Sequence, residues 1–414
     1  MPAVASGAIY NHGDASSSPD LLGLRVVVLP DWFADAGALR CEGHSLVAQR
    51  RYLCRPVHIA IPFLPALVAV PASATLSVIL TQKQSEMLGR GVKDLTVIER
   101  CDGSVDLSGA ESVDCLLNNS PDFGRLSEAL LHLKMTGDAS LAGIDRFDGL
   151  QSLTLEHAQI PSLSQVAALD NLTSLSLERV DAMDGTGLFQ LGKLVRLRHL
   201  RWRGYRPIPA AALHGIEALP PLESLQLLDI GGASPAELRP LLALRDMESL
   251  KHLSLSFLYQ RPNDLVSEIL HGLNRLEILT VDEISIGGLA TLSRHGRLRL
   301  LAVTSRYSRF TVDDAWLNAL SKVSSLEMLY LAEATDATLV HVAKLTKLRA
   351  LNIEDTRVTD AGLMQLAALP ELKTVFVAGS DVSENGCKAF NERTGREICI
   401  AMNFYMGTRL SPVM

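Results

Sequence analysis

Leu348-Arg-Ala-Leu-Asn-Ile-Glu-Asp-Thr-Arg-Val-Thr-Asp-Ala-Gly-Leu363 carries two periodicities in succession. Leu351 and Ile353 flank Asn352, and alternation of that kind is a strand with one buried face. Leu363 then opens the series Leu363, Leu366, Leu369, whose spacing puts the three side chains on one helical face. Thr359-Asp360, just ahead of that series, supplies an oxygen to cap the first turn of a helix. At Leu372 the strand pattern starts again. A strand and a helix this short cannot bury their apolar sides alone, so the segment must be one of a stack.

The same unit recurs outward from this stretch. Its first leucine falls at Leu150, Leu172, Leu197, Leu222, Leu250, Leu276, Leu298, Leu326, Leu348 and Leu372, in steps of 22 to 28 residues. The alternating strand pair follows each time, among them Leu153/Leu155, Leu175/Leu177, Leu200/Trp202, Leu225/Leu227, Leu253/Leu255, Leu279/Val281, Leu301/Val303 and Leu329/Leu331. Apolar residues three apart come next, as in Leu163/Val166/Leu169, Leu188/Leu191/Leu194, Leu238/Leu241/Leu244 and Leu339/Val342/Leu345. Chance leucine runs do not hold phase over such a length.

These residues make the chain, from roughly 126 to 400, resemble the leucine-rich-repeat proteins. Val358-Thr-Asp-Ala-Gly-Leu363 is similar to the turn of the bacterial and cysteine-containing subclasses. The resemblance implies an α/β solenoid with a curved parallel sheet on one face and helices on the convex face. One feature departs from the family. The position three past the last strand leucine, where an Asn usually satisfies loop backbone groups, holds Ala158, Val180, Tyr205, Ile230, Leu258, Ile284, Arg306, Ala334, Thr356 and Ser380. The turns must therefore be closed by other means.

Flanking the repeats, residues 1–20 are rich in Ser and Gly and read as a disordered leader. Residues 21–125 do not fit the repeat, and stretches at 24–29, 57–61, 67–70, 74–80 and 95–98 predict short strands. This β-rich or mixed domain is expected to cap the solenoid of 126–397. A last strand near Ile398 is expected to close the other end, within a cap and tail of 398–414.

Among 414 residues, 47% are hydrophobic but only 5% aromatic, which suits the recurring Leu slots of a layered core. A net charge of -7 argues against a nucleic-acid partner. The six cysteines fall in three sequence-near pairs without zinc-site spacing, so no metal is expected, and they read as buried thiols in a reducing compartment, with pairing as disulfides the alternative. The uncharged stretch 57–82 is interrupted by Pro62, Pro65 and Pro71, which argues against a membrane span. No basic, apolar signal peptide opens the sequence, and a cytoplasmic location follows, with an exported effector as the alternative. Phosphate-loop, dinucleotide, zinc-protease and nucleophile-elbow motifs are absent from the sequence, so neither an enzyme nor a cofactor is expected. The alternative keeps catalysis in the N-terminal domain.

Function is expected on the concave strand face, where residues flanking the buried leucines reach solvent. The candidate partner-binding residues there are His199, Arg201, Arg203, Tyr205 and Arg206 in the third repeat and His252 in the fifth. Leu300, Met328, Tyr330, Asn352, Glu354 and Phe376 continue the list toward the C-terminus. The basic cluster suits an acidic partner, or is a solvated patch paired with Glu156 and Glu178. The apolar residues suit a covered surface, by a partner or by a loop of the same chain. Arg306, Tyr307, Arg309 and Phe310 lie on the loop after the seventh strand. A protein-binding scaffold is the expected function. A ligase adaptor or effector is the alternative, since Leu29-Pro30-Asp31 ahead of the repeats is faintly similar to F-box proteins.

Overall fold

The computed structural model describes five strands within the first 127 residues and the chain from 128 to 400. Residues 129, 138–140, 161, 183–186, 232–233, 235, 259–262 and 305–311 are outside the described part, as are 401–414. The chain divides into two compact units, one reaching residue 186 with 190–197, the other holding 187–189 and everything from 198 onward.

In the first unit, β1 (Val26–Leu29), β2 (Ile59–Ala60), β3 (Val78–Thr81), β4 (Asp94–Val97) and β5 (Ser112–Leu116) precede the regular repeats. The first four coincide with stretches predicted as strands; 67–70 and the leader lie outside the described residues. β1 pairs with β3 and β4, β2 with β3, and β4 with β5, always in parallel. The ladder runs on through β6 (His132–Thr136) and β7 (Ser152–Glu156) to β9 (Ser174–Glu178). Two short strands, β8 (Gln159–Ile160) and β10 (Asp181–Ala182), pair separately beyond the turns. Between strands come short 3-10 helices such as Val166–Ala168.

The second unit is one parallel ladder in sequence order. Its strands are β11 (His199–Pro209), β12 (Ser224–Gly231), β13 (His252–Phe257), β14 (Ile278–Val281), β15 (Leu300–Val303), β16 (Met328–Leu331), β17 (Ala350–Asn352), β18 (Thr374–Phe376) and β19 (Cys399–Ile400). Helices α1 (Asn263–Leu270), α2 (Ile286–His295), α3 (Asp314–Leu320), α4 (Asp336–Val342), α5 (Asp360–Met364) and α6 (Glu384–Thr394) alternate with the later strands. Earlier repeats carry 3-10 turns instead, as at Arg239–Asp246. Leu238, Leu241 and Leu244 stand three apart, which eclipses on a threefold turn. Pairs four apart, such as Val266/Leu270 and Trp316/Leu320, add the contact an α-helix makes.

The predicted strand leucines Leu153, Leu175, Leu225, Leu253, Leu301, Leu329 and Leu351 are all at most 3% exposed. The missing Asn ladder is replaced in several ways. At the usual Asn position, the Thr356 hydroxyl donates to the Ile353 carbonyl at 2.7 Å and the Ser380 hydroxyl to the Val377 carbonyl at 2.6 Å. Trp316 Nε1 donates to the Ile284 carbonyl at 2.7 Å. In four repeats the residue just before that position takes a left-handed φ, at His157, Arg179, Asp229 and Asp355, and turns the chain itself. In the third repeat the predicted register slips. Between Arg203 and Ile208 the ladder is irregular, and Ile208, not Tyr205, pairs with Ile230 and is buried.

The Thr-Asp-Ala-Gly turn is a lock between repeats. Asp336 accepts from the Thr359 N–H at 2.8 Å and the Thr359 hydroxyl at 2.7 Å. One repeat later, Asp360 accepts from the Ser383 N–H and hydroxyl, both at 2.7 Å. Gly362 and Gly386 leave room for these carboxylates, which a Cβ at either position would overlap. Thr359 also caps α5, accepting from the Ala361 N–H at 3.2 Å.

At the C-terminal edge a Cys387–Cys399 disulfide ties α6 to β19, with Cα atoms 5.5 Å apart. For this pair the disulfide alternative holds in place of buried thiols. A spacing of twelve residues lets the chain turn back from a helix into the next strand and bring both side chains together.

Candidate functional site

The side chains of β11 to β18 that point away from the core form two rungs of the second unit. One runs Ser224, His252, Ile278, Leu300, Met328, Ala350, Thr374. The other runs Arg201, Gln226, Ser254, Thr280, Ala302, Tyr330, Asn352, Phe376. Such cross-strand neighbours lie about 5 Å apart, so each rung acts as a continuous line of side chains.

The centre of this face is apolar. Ile278, Leu300 and Ala302 are 7%, 8% and 9% exposed and form a cluster separate from the main core, with Tyr330 packed against it. Leu300, one of the candidate partner-binding residues, is buried among its neighbours, while Met328 is 42% exposed. Two polar atoms border the cluster. The Thr280 hydroxyl and His252 Nε2 are buried and find no hydrogen-bond partner among the described residues. The other His252 nitrogen, Nδ1, lies 3.2 Å from Ser224 Oγ. Burial, together with the positive charges of Arg201 and His199, lowers the His252 pKa to about 4, so the ring is neutral at pH 7.

The N-terminal end of the face is basic but partly committed. Arg203 Nε donates to Asp229 Oδ2 at 2.7 Å, and Asp229 also accepts from the Ser256 hydroxyl at 3.4 Å. Arg201 donates to the Gln226 side-chain oxygen. His199 is exposed. Tyr205, 69% exposed, and Arg206 sit on the irregular excursion of β11 instead of on the strand face. In the first unit, Glu156 pairs with Lys134 at 3.1 Å. At the other end Asn352 Nδ2 donates to Glu354 at 2.6 Å, and Asn352 Oδ1 accepts the Glu354 N–H at 2.9 Å. Phe376 is half-buried. The Arg306 to Phe310 loop lies outside the described residues.

Of the predicted residues, the strand face brings together His199, Arg201, Arg203, His252, Leu300, Met328, Tyr330, Asn352 and Phe376. Ile278, Thr280 and Ala302 were missed. The strand period alone places all three on that face, since they flank Leu279 and follow Leu301. Aspartates 229 and 282 were missed for a different reason. Asp282 accepts the Phe257 N–H at 2.6 Å and the Thr304 hydroxyl at 2.8 Å, a role set by the repeats on either side.

The edge where the strands begin carries a charge ladder. Arg198, Glu223, Lys251, Glu277, Arg299, Glu327 and Arg349 occupy one position of seven successive repeats and alternate in sign. Lys251 meets Glu223 at 2.7 Å, and Glu327 meets Arg299 at 2.9 Å and Arg349 at 3.4 Å. The hydrogen bond from Arg299 holds the Glu327 carboxyl below its ordinary pKa. Among the described residues no His, Cys, Asp and Glu group could hold a metal, and no helix is long and apolar enough to cross a membrane.

No protein-family model matches the sequence, and no curated protein matches it. Solved structures do. An internalin from Listeria monocytogenes is 16% identical, over 80% of this chain and 82% of the internalin, with a TM-score of 0.46. A leucine-rich-repeat protein from Leptospira interrogans is 14% identical, over 83% of this chain and all 100% of its own, with a TM-score of 0.43. The protein of the TLR13–ssRNA13 complex is 15% identical, over 80% of this chain and 53% of its own, and its TM-score of 0.51 carries the likeness of fold. Repeat spacing, parallel ladder, buried strand leucines and that likeness agree: this chain is a leucine-rich-repeat solenoid.

Proposed function

We propose that this protein is a binding scaffold that holds a partner protein on the helix-free strand face of its second unit. The observation that carries the reading is the Ile278, Leu300 and Ala302 cluster with Tyr330, an apolar centre outside the main core. Around it lie Ser254, Thr280, Asn352 and, toward β11, His199 and Arg201. An apolar centre with a polar rim is the anatomy of a protein interface. Side chains on rigid strands also lose little freedom when a partner docks. Arg203 serves this face indirectly, by neutralising the buried Asp229.

The test is affinity capture with wild type beside Tyr330→Ala and the convex-side variant Gln365→Ala, read by mass spectrometry. Partners retained by wild type and Gln365→Ala but lost from Tyr330→Ala support the reading. Partners lost from Gln365→Ala and kept by Tyr330→Ala would move the site to the helices. The Cys387–Cys399 disulfide favours the exported alternative for location, because such bonds persist in oxidising compartments.

A further inference from the structure

The apolar centre of the strand face is buried, but the face runs on past it to the last strand of the second unit and stays more open there. Met328, Ala350 and Thr374 stand side by side on one rung, and Phe376 and Ile400 on the other. Met328 is 42% exposed, and the other four are half-buried. Between β16 and β19 neither rung carries a charged side chain.

The last strand decides where the chain goes next. Val375 and Val377 donate their N–H groups to the carbonyls of Ile398 and Ile400, so those two residues turn their backbone to β18 and Cys399 turns its backbone to the far edge. There the Cys399 N–H is taken by Asn391 Oδ1 at 2.9 Å. An edge closed in this way does not receive another strand. Side chains alternate between the two faces. The disulfide to Cys387 on α6 holds Cys399 toward the helices, so Ile400 lies on the strand face beside Phe376. The chain thus leaves β19 from a residue that belongs to that face.

The fourteen residues that follow Ile400 match it in chemistry. They include Met402, Phe404, Tyr405, Met406 and Leu410, and Arg409 is their one charged side chain. Apolar surface in such density is driven out of water. Asn403 and Gly407 are residue types that turn a chain readily. From β19 to β16 is three strand spacings, about 14 Å, which about four extended residues span. Phe404 to Met406 are therefore the first residues able to reach Phe376, Thr374 and Met328 together.

We infer that the segment 401–414 folds back across β18 and β17 and lays Phe404 to Met406 on Met328, Thr374 and Phe376. Resting on the proposed function, the same contact makes the segment a competitor of the partner, because Met328 adjoins Leu300 of the apolar centre on the ladder. A partner that covers the centre then has to displace the segment first.

The experiment places the photoreactive residue p-benzoylphenylalanine at position 404 of the full chain, irradiates it in dilute solution, and maps the crosslinks by mass spectrometry after reducing the disulfide. Crosslinks within one chain to Met328, Thr374 or Phe376 are expected. Met328→Asp should cut their yield about tenfold, because covering an unpaired charge is costly. Met364→Asp, on α5, should leave the yield unchanged. If Met328→Asp unfolds, Met328→Gln is the substitute, with a smaller loss expected. Crosslinks between two chains would give the face to a second copy, and crosslinks to the helices, or none, overturn the inference; either result leaves the partner's site untouched. Competition is read separately, by repeating the affinity capture with Phe404→Asp and Met406→Asp combined in one chain. That variant should retain about threefold more partner than wild type. Equal retention with the crosslinks in place would overturn the competition. Partners kept by Tyr330→Ala would overturn the proposed function while the crosslinks stood.

Discussion

His252 shows how one residue can report on the whole strand face. It is held neutral by burial and by the charges of Arg201 and His199, with a pKa near 4 against an ordinary 6.5. The unfolded chain therefore takes up a proton between those values that the folded chain refuses. Stability from this group is complete above pH 6.5, falls as pH drops toward 4, and is fully lost below it. The difference amounts to about 3 kcal/mol. Urea unfolding of wild type and His252→Gln at pH 7 and pH 4.5 checks this, since other titrating groups cancel in the comparison. Wild type should lose about 2–3 kcal/mol more than the variant. Equal losses would mean that His252 is hydrated and protonates freely. The histidine itself could be read from the sequence as a face residue, but its neutrality could not. It depends first on burial and then on Arg201, which the ladder brings close from two repeats away.

At the level of elements, the later repeats are tied by side chains and not by strand pairing alone. Asp360 receives both donors of Ser383, and Gly386 must lack a Cβ for that carboxylate to fit. Gly386→Ala should therefore cost about 2 kcal/mol or more, even though Ala ordinarily favours a helix over Gly. Asp360→Ala should cost less, about 1–2 kcal/mol, and the double variant should be more stable than the sum of the two losses. Denaturant midpoints of the four proteins measure the coupling, and strict additivity would show that the two residues do not meet. The charge ladder makes a second test. Glu327 sits between Arg299 and Arg349, so Glu327→Lys places three cations in a row. Exposed pairs contribute little each, so the expected loss is about 1 kcal/mol, shrinking in high salt. A loss that high salt leaves unchanged would mean packing, not charge, links that edge. The Thr-Asp-Ala-Gly motif was visible in the sequence as a turn, but its purpose was not. The glycine answers to a carboxylate in the previous repeat, which no reading of one repeat discloses.

Over the whole molecule, what the sequence made legible is what repeats: strand phase, buried leucines, the helix that follows and the direction of the sheet. What it hid are the departures from repetition. Tyr205 and Ile208 exchange places because β11 carries an irregularity, and Ile278 joins Leu300 because outward positions of neighbouring strands meet. Stacking also sets how damage should spread. In a repeat array each layer leans on its neighbours, so stability is lost from the injured end. The Cys387–Cys399 disulfide closes a short loop at the last layer of the second unit, and closing such a loop contributes about 3 kcal/mol to the part it staples. Replacing both cysteines by serine should leave β11 to β13 as protected from hydrogen exchange as before. Protection should fall in α6 and β18, which lie against the released strand. Dithiothreitol should reproduce that pattern in wild type and change nothing in the double variant. Loss of protection spread evenly from β11 to β18 would instead make the second unit a single cooperative block, and the notion of a locally stapled cap would have to be abandoned.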